Sequence, residues 1–398
     1  MAGPVCKMVK IGSGGSRPMV LLRDLRVAGR RGAHATAIVA VAAVQTGCAA
    51  RPGPEVLVPT AAMPGAKLQR IYVATTRTRA TPSGNEFTAD RASALNFASF
   101  RVAIPPGHTS GNIEWPEGTP DPRVSFVTVD QAVLSDAEFR DQVAPARQRG
   151  AKRKVLIFIH GFNNNFQESL YRLAQVHADA GMDSVPILFA WPSQGRVAAY
   201  AEDRDAATAS RDDLMALLKM VAGSPQVGDI MVLSHSMGGL VTADALRQLR
   251  IERQDRVIAR LRRVILAAPD IDVDVFRAQL QTIGPLSPPM TLLVSKDDKA
   301  LEFSNLIGGS RARIGALDIE NPAVREAALK AKVQVVDIST LQSRDRMNHS
   351  RFTALAELYP RLQRQPASQR EQAGIFVIDA NSATVARPFE AGNPAAIH

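Results

Sequence analysis

The 398-residue chain is 45% hydrophobic and 22% charged, which is ample for a sizeable core and excludes a wholly disordered polypeptide. Its net charge of +10 is concentrated at the start: residues 1–47 hold seven Lys/Arg against one acidic residue, leaving +4 for the rest. No Lys/Arg stripe interleaves with aromatics, so the composition does not point to nucleic acid as a partner.

The first segment reads as an export signal. Arg23, Arg26, Arg30 and Arg31 precede the apolar run "ATAIVAVAAV", and small residues follow in "QTGCAA". A basic stretch before a short apolar run fits a signal peptide over 1–47. The run is too short for a permanent span, which needs about 20 apolar residues. Gly47-Cys48 has the form of a bacterial lipoprotein processing site, with Cys48 as the lipidated residue, although Gln45 stands where an aliphatic residue is usual. The alternative is plain cleavage near the alanines. The expectation is therefore an exported protein of the cell envelope, held at the periplasmic face of a membrane through a lipid anchor. Cys6 and Cys48 are the only cysteines, so once the signal is removed no intramolecular disulfide can form.

Residues 48–67 are rich in Pro, Ala and Gly and read as a flexible tether. From 68 to 150 short β-type runs, "RIYVATT", "SFRVAIP" and "RVSFVTV", alternate with Pro/Gly loops. They are read as an N-terminal β segment continuous with the sheet that follows. From Lys154 the rhythm becomes strand, helix, strand. "KVLIFIH", "VPILFAW", "DIMVLSHS", "RRVILAAPD", "MTLLVSKDD" and "VQVVDIST" are apolar runs of the kind buried on both faces. Helical periodicity separates them, including one long helix over 198–222 and a closing helix in "SRFTALAELYPRLQ". The pattern predicts an α/β domain over 151–363, with a mainly parallel sheet and helices on both faces. The polar remainder, 364–398, reads as a loose tail.

Three stretches carry chemistry. "LSHSMGGL" nearly fits G-x-S-x-G, with Ser234 in place of the first glycine. A strand runs into it and an apolar-periodic helix runs out, the context in which a serine hydroxyl is projected above a sheet as a nucleophile. Ser236 is the candidate; the bland alternative is a glycine-assisted turn holding an ordinary serine. In "IFIHGFNNN", Gly161 lets the backbone turn at the end of an earlier strand. The N–H groups of Phe162 and of Met237, the residue after the serine, could then face a developing oxyanion. His160 reads as structural, and Trp191 as either pocket or core.

The chain order of such sites is Ser, acid, His. Of seven histidines, only His349 and His398 follow Ser236, and His398 ends the tail. His349, in "DRMNHSRF", is thus the candidate general base. The acid is Asp298, with Asp297 beside it and Asp270 after "VILAAP" as alternatives. Paired aspartates before a helix are also ordinary N-caps. No metal cluster or nucleotide loop is apparent, and no cofactor is expected.

Together "TTRTR" (75–79), "FRVAIPPGHTSGNIE" (100–114), "VLIFIHGFNNNFQES" (155–169), "FAWPSQG" (189–195), "LSHSMGG" (233–239), "LAAPDID" (266–272), "SKDDKAL" (295–301) and "NHS" (348–350) resemble the α/β-hydrolase superfamily. More closely, they resemble a bacterial group of esterase/lipase-like hydrolases of unknown function, over about residues 70–360. The resemblance implies a serine hydrolase fold without a known substrate, and its S-x-x-D-x-A-L pattern falls on Asp298. The expected activity is that of a carboxylesterase acting on short or soluble acyl esters. Only a short segment, Ala267 to Phe276, separates the fourth strand from its helix, which leaves no room for a large lid. The competing readings are an inactive hydrolase fold serving as an envelope binding or scaffold protein, and an amidase or peptidase with the same triad.

Overall fold

A computed structural model describes residues 51–145, 152–308, 311–356, 374–379 and 384–386. The signal, Cys48 and the end of the closing helix lie outside these residues.

Among the described residues the strands form one 11-stranded sheet. Its strands are β1 (Lys67–Arg79), β2 (Phe87–Ile104), β3 (Val127–Leu134), β4 (Arg153–Ile159), β5 (Val185–Ala190), β6 (Val227–His235), β7 (Leu261–Ala267), β8 (Thr291–Val294), β9 (Gln334–Asp337), β10 (Gly374–Asp379) and β11 (Thr384–Ala386). They lie in the order β11-β10-β9-β8-β7-β6-β4-β5-β1-β2-β3. Across this order the pairing is parallel from β10 to β1 and antiparallel at β1–β2, β2–β3 and β10–β11. The expected α/β architecture is the one found. Because β1 pairs with β5, the early β segment belongs to the main sheet.

Alternate residues of the strands feed two cores. Val155, Ile157 and Ile159 of β4 join Leu214, Leu218 and Leu246 on one face. Leu156 and Phe158 join Phe166, Leu170 and Leu173 on the other. This period of two, apolar on both sides, is why the strands read as unbroken hydrophobic runs. Helices α1 (Phe166–Asp179), α2 (Tyr200–Ala209), α3 (Arg211–Gly223) and α4 (Met237–Ile251) cover the two faces. Helix α1 starts at a capping box: Asn165 Oδ1 accepts from Glu168 N–H at 2.9 Å, and Glu168 Oε2 accepts from Asn165 N–H at 2.9 Å.

Three expectations are corrected. The single helix over 198–222 is two, broken at Ser210. Its hydroxyl donates to Ala206 O at 2.9 Å and lies 3.0 Å from Thr76 Oγ1, a back-bond of the kind that bends a helix. Within the expected tether, Pro54–Leu57 is a 3-10 helix with Val56 and Leu57 buried, 2% and 3% exposed. Tyr171 Oη donates to Val56 O at 2.7 Å and Thr60 N–H to Thr128 O at 2.7 Å, so the Pro/Ala/Gly composition hid an anchored apolar pair. In the expected loose tail, "GIFVID" adds to the sheet as β10, and Phe376 is 2% exposed in the core.

If the segment is anchored as described, Leu57→Ala costs about 2–3 kcal/mol of unfolding free energy. Urea denaturation of the variant checks this, and an unchanged midpoint would contradict the anchoring.

Candidate active site

Because β4 and β6 to β9 run parallel, their carboxyl ends share one rim, where α/β sheets hold ligands. Gly161, Ser236, Asp270, Asp298 and His349 all follow these ends.

Ser236 joins β6 to α4 with φ 52° and ψ −122°. A serine with positive φ costs about 1–3 kcal/mol and persists only where its surroundings impose it. Here they do: its N–H donates to Ala267 O at 2.9 Å, and its carbonyl accepts from Gly239 N–H at 2.9 Å and Asp270 N–H at 3.3 Å. The corner is closely packed. A Cβ on Gly238 would lie 2.4 Å from His160 O and 2.6 Å from Ile159 O. Ser234, in place of the usual glycine, is fully buried, and its hydroxyl finds Ile265 O at 3.4 Å.

Gly161 lies against the serine, since a Cβ there would fall 2.9 Å from Ser236 Cβ. Met237 is the first residue of α4, so its N–H is among those a helix leaves without an internal partner. Among the described residues Phe162 N–H also donates to no protein acceptor. Met237 follows the serine directly in the chain, and Phe162 follows Gly161, which lies against it. His160 is structural: it is 1% exposed, stacks on Trp191 at 4.9 Å and receives the Trp191 Nε1–H on its carbonyl at 2.8 Å. Trp191 is therefore core.

The three aspartates separate by environment. Asp298, 0% exposed, contacts His349 Nδ1 through Oδ2 at 2.7 Å. Its Oδ1 accepts from Ala300 and Leu301 N–H at 3.0 and 3.1 Å, capping helix α5 (Lys299–Gly308). One carboxylate thus does both jobs expected of the pair. Asp297 is gripped by Arg351, with Nη2 on Oδ2 at 2.8 Å, and that hydrogen bond holds its pKa down to about 2. Asp270 lies beside Arg313 at 3.3 Å and accepts from Tyr200 Oη at 2.9 Å and Ser304 Oγ at 2.8 Å.

His349 is tied to the serine's strand rather than bonded to the serine. Among the described residues no hydrogen bond joins Ser236 Oγ to His349. Such bonds often tighten only when substrate binds. His235, next to Ser236, brings its Nε2 to His349 O at 3.3 Å, with the two rings 4.5 Å apart.

Residues 135–366 match the family described as alpha/beta hydrolase of unknown function (DUF900). The chain belongs to this family. No curated protein matches it significantly. Among solved structures it is similar to Est1E from Butyrivibrio proteoclasticus, at 15% identity and TM-score 0.33, covering 53% of this chain and 88% of that one. Esterase 2 of Thermogutta terrifontis, phosphorylated by paraoxon, follows at 12% identity and TM-score 0.32, covering 69% and 82%. A further likeness, at 10% identity and TM-score 0.37, is to ESTFA in an apo form, covering 82% of this chain and 97% of that one. Likenesses of this size carry no weight for substrate.

The hydrolase positions its histidine with a residue that sequence reasoning missed. Asp345 accepts from the N–H groups of Met347 at 2.8 Å, His349 at 3.1 Å and Ser350 at 2.7 Å, and so folds the loop around His349. The signal was present as an aspartate four residues before the histidine, the spacing of a carboxylate that ties down its own turn. Among the described residues no cluster of His, Cys, Asp or Glu could hold a metal ion, and no helix is long and apolar enough to cross a membrane.

Burial pulls the His349 pKa down, but the Asp298 hydrogen bond and the charges of Asp298, Asp345 and Asp270 outweigh it and leave it above the ordinary 6.5. A raised histidine pKa stabilises the fold fully below the unfolded-state value, and that contribution fades as pH rises through the folded-state value. NMR titration of the ring should give a midpoint above 6.5, and Asp298→Asn should lower it. A wild-type midpoint below the ordinary value would contradict the pairing.

Proposed function

We propose that the protein is a serine hydrolase, a carboxylesterase acting on short or soluble acyl esters. One observation carries this reading: a positive-φ serine at a strand-to-helix corner shares a sheet rim with a buried Asp298–His349 hydrogen bond. Ser236 Oγ attacks the ester carbonyl carbon while His349 Nε2 takes its proton. Asp298 holds the Nδ1–H and stabilises the imidazolium. The N–H groups of Phe162 and Met237 receive the oxyanion, each worth about 3–4 kcal/mol by precedent. Collapse expels the alcohol, which takes the proton from His349. Water then attacks the acyl-enzyme, its proton passing to His349 and on to the released Ser236 oxygen. The five-residue connection from β7 to the next helix (Val273–Ile283) leaves no room there for a large lid, which supports small substrates.

Fluorophosphonate labelling with peptide mapping tests the reading without a guessed substrate. The expected label is on Ser236, and Ser236→Ala should abolish it and cut ester turnover by about 10⁴-fold or more. The kcat/KM profile should rise with pH as His349 loses its proton, with a midpoint above the ordinary histidine value. Folded protein that takes no label would refute the reading and favour a binding or scaffold role. Amide turnover equal to that of the matched ester would move it to an amidase.

We also propose export and lipid anchoring at Cys48, supported by the basic stretch, apolar run and Gly47-Cys48 junction. Detergent partitioning of the protein should be lost in Cys48→Ser. Retained partitioning would reject the anchor.

A further inference from the structure

The motifs "TTRTR" and "FAWPSQG" have no part in the chemistry above, yet they converge on the loop that carries Phe162. Arg77, in the middle of "TTRTR", is 2% exposed. Its Nη2 donates to Asn164 O at 3.0 Å and to Ser193 O at 2.9 Å, and its Nη1 to Thr88 O at 3.2 Å. Asp203, on α2, is 0% exposed and grips the same two loops from the other side. Its Oδ1 accepts from Gln194 N–H at 2.7 Å; its Oδ2 accepts from Ser193 Oγ at 2.5 Å and Asn163 N–H at 3.4 Å. Ser193 Oγ in turn accepts from Asn164 N–H at 3.2 Å.

The two residues after Phe162 thus have both their N–H groups and one carbonyl tied to buried partners. Asn163 is held at φ 58°, a left-handed conformation that asparagine tolerates better than most residues with a side chain. On the other side of Phe162, Gly161 is wedged against Ser236. The peptide that presents the Phe162 N–H therefore sits between two fixed points. Burying an arginine and an aspartate is costly, and an apolar pair of similar size would often serve stability as well. Burial pushes Arg77 down to about 10 against the Asp203 and Glu168 charges, so it stays a cation at neutral pH.

We propose that Arg77 and Asp203 are positioning residues for the oxyanion hole, fixing the 161–165 loop through Asn163, Asn164 and Ser193 so that the Phe162 N–H aims at the oxyanion. The inference rests on the serine-hydrolase reading. It gives "TTRTR", "HGFNNN" and "FAWPSQG" one shared purpose.

The test compares wild type, Arg77→Lys and Asp203→Asn. Each is assayed for kcat and KM on p-nitrophenyl acetate, for Ki of a trifluoromethyl ketone, and for Tm. The ketone's adduct places an oxyanion in the hole, so its Ki reports the hole directly. A loop misplaced by about 1 Å should lower kcat by about 10–100-fold, with KM within about threefold, and should weaken Ki by a similar factor. Folded variants that lose Tm but keep wild-type kcat and Ki overturn the proposal, because a purely structural role predicts that result. Should Arg77→Lys fail to fold, Asp203→Asn carries the same readouts. Wild-type protein that neither labels on Ser236 nor turns over ester overturns the hydrolase reading and this proposal with it. An active wild type with unaffected variants overturns the positioning role alone.

Discussion

The site depends on one close approach. Helix α4 leaves β6 so tightly that the carbonyl oxygens of Ile159 and His160 stand where a Cβ on Gly238 would be. The turn closes only if Ser236 takes a positive φ and the residue facing it across the corner, Gly161, has no side chain. Three hydrogen bonds to the Ser236 backbone offset the conformational cost. They come from three directions: Ala267 at the end of β7, Asp270 in the loop beyond it, and Gly239 within α4. The strain is therefore shared across the centre of the sheet. Loosening any of these strands would release the serine from the position that gives it chemical meaning.

The same rim shows how neighbouring aspartates acquire different roles. Asp297 and Asp298 are adjacent in sequence and identical in chemistry. Asp297 is exposed and bound by Arg351 and Asn348, which ties the residues on either side of His349 to the segment after β8. Asp298 is sealed from water, with one oxygen on helix N–H groups and the other on His349. The helix N-terminus supplies a favourable field for a buried carboxylate, so the charge that orients the histidine needs no second cation. Asp270, the remaining alternative, is engaged by Arg313, Tyr200 and Ser304. Its hydrogen bonds go to the wall of the site rather than to His349.

Much of this was legible in the chain because it is local. Runs such as "KVLIFIH" are apolar on both faces, and "SHSMGG" concentrates the small residues that a sharp corner needs. What sequence could not supply is contact between distant segments. The break at Ser210 involves Thr76, and the grip on Asn164 comes from Arg77, 87 positions away. Composition also misled where it was averaged. "PGPEVLVP" has the look of a linker, yet Val56 and Leu57 are enough to bury it once Tyr171 offers a hydroxyl to the backbone. In the tail, polar flanks concealed "GIFVID", which an open parallel edge could pair.

The wall beside the 161–165 loop limits how the site can adapt. Ile314 N–H donates to Ile271 O at 2.9 Å, Gly315 N–H to Pro269 O at 3.0 Å, and Arg313 bridges to Asp272. The loop ending at Gly315 and the loop after β7 therefore form one hydrogen-bonded ribbon, with Arg313 buried behind it. Such a ribbon moves as a unit or not at all, because opening it would strand backbone groups and an arginine away from their partners. Tyr200 carries this rigidity across the site: its hydroxyl is fixed by Asp270, and its ring stands edge-on to Phe162 at 5.2 Å. Phe162 is thus held from behind by Asp203 and Arg77 through the residues that follow it, and from the side by a tyrosine anchored to that wall. Two networks of buried polar groups converge on the loop that carries the Phe162 N–H, which on the proposed reading receives negative charge. An oxyanion site needs this prior fixing, since donors already aimed at the charge incur no reorganisation when it appears.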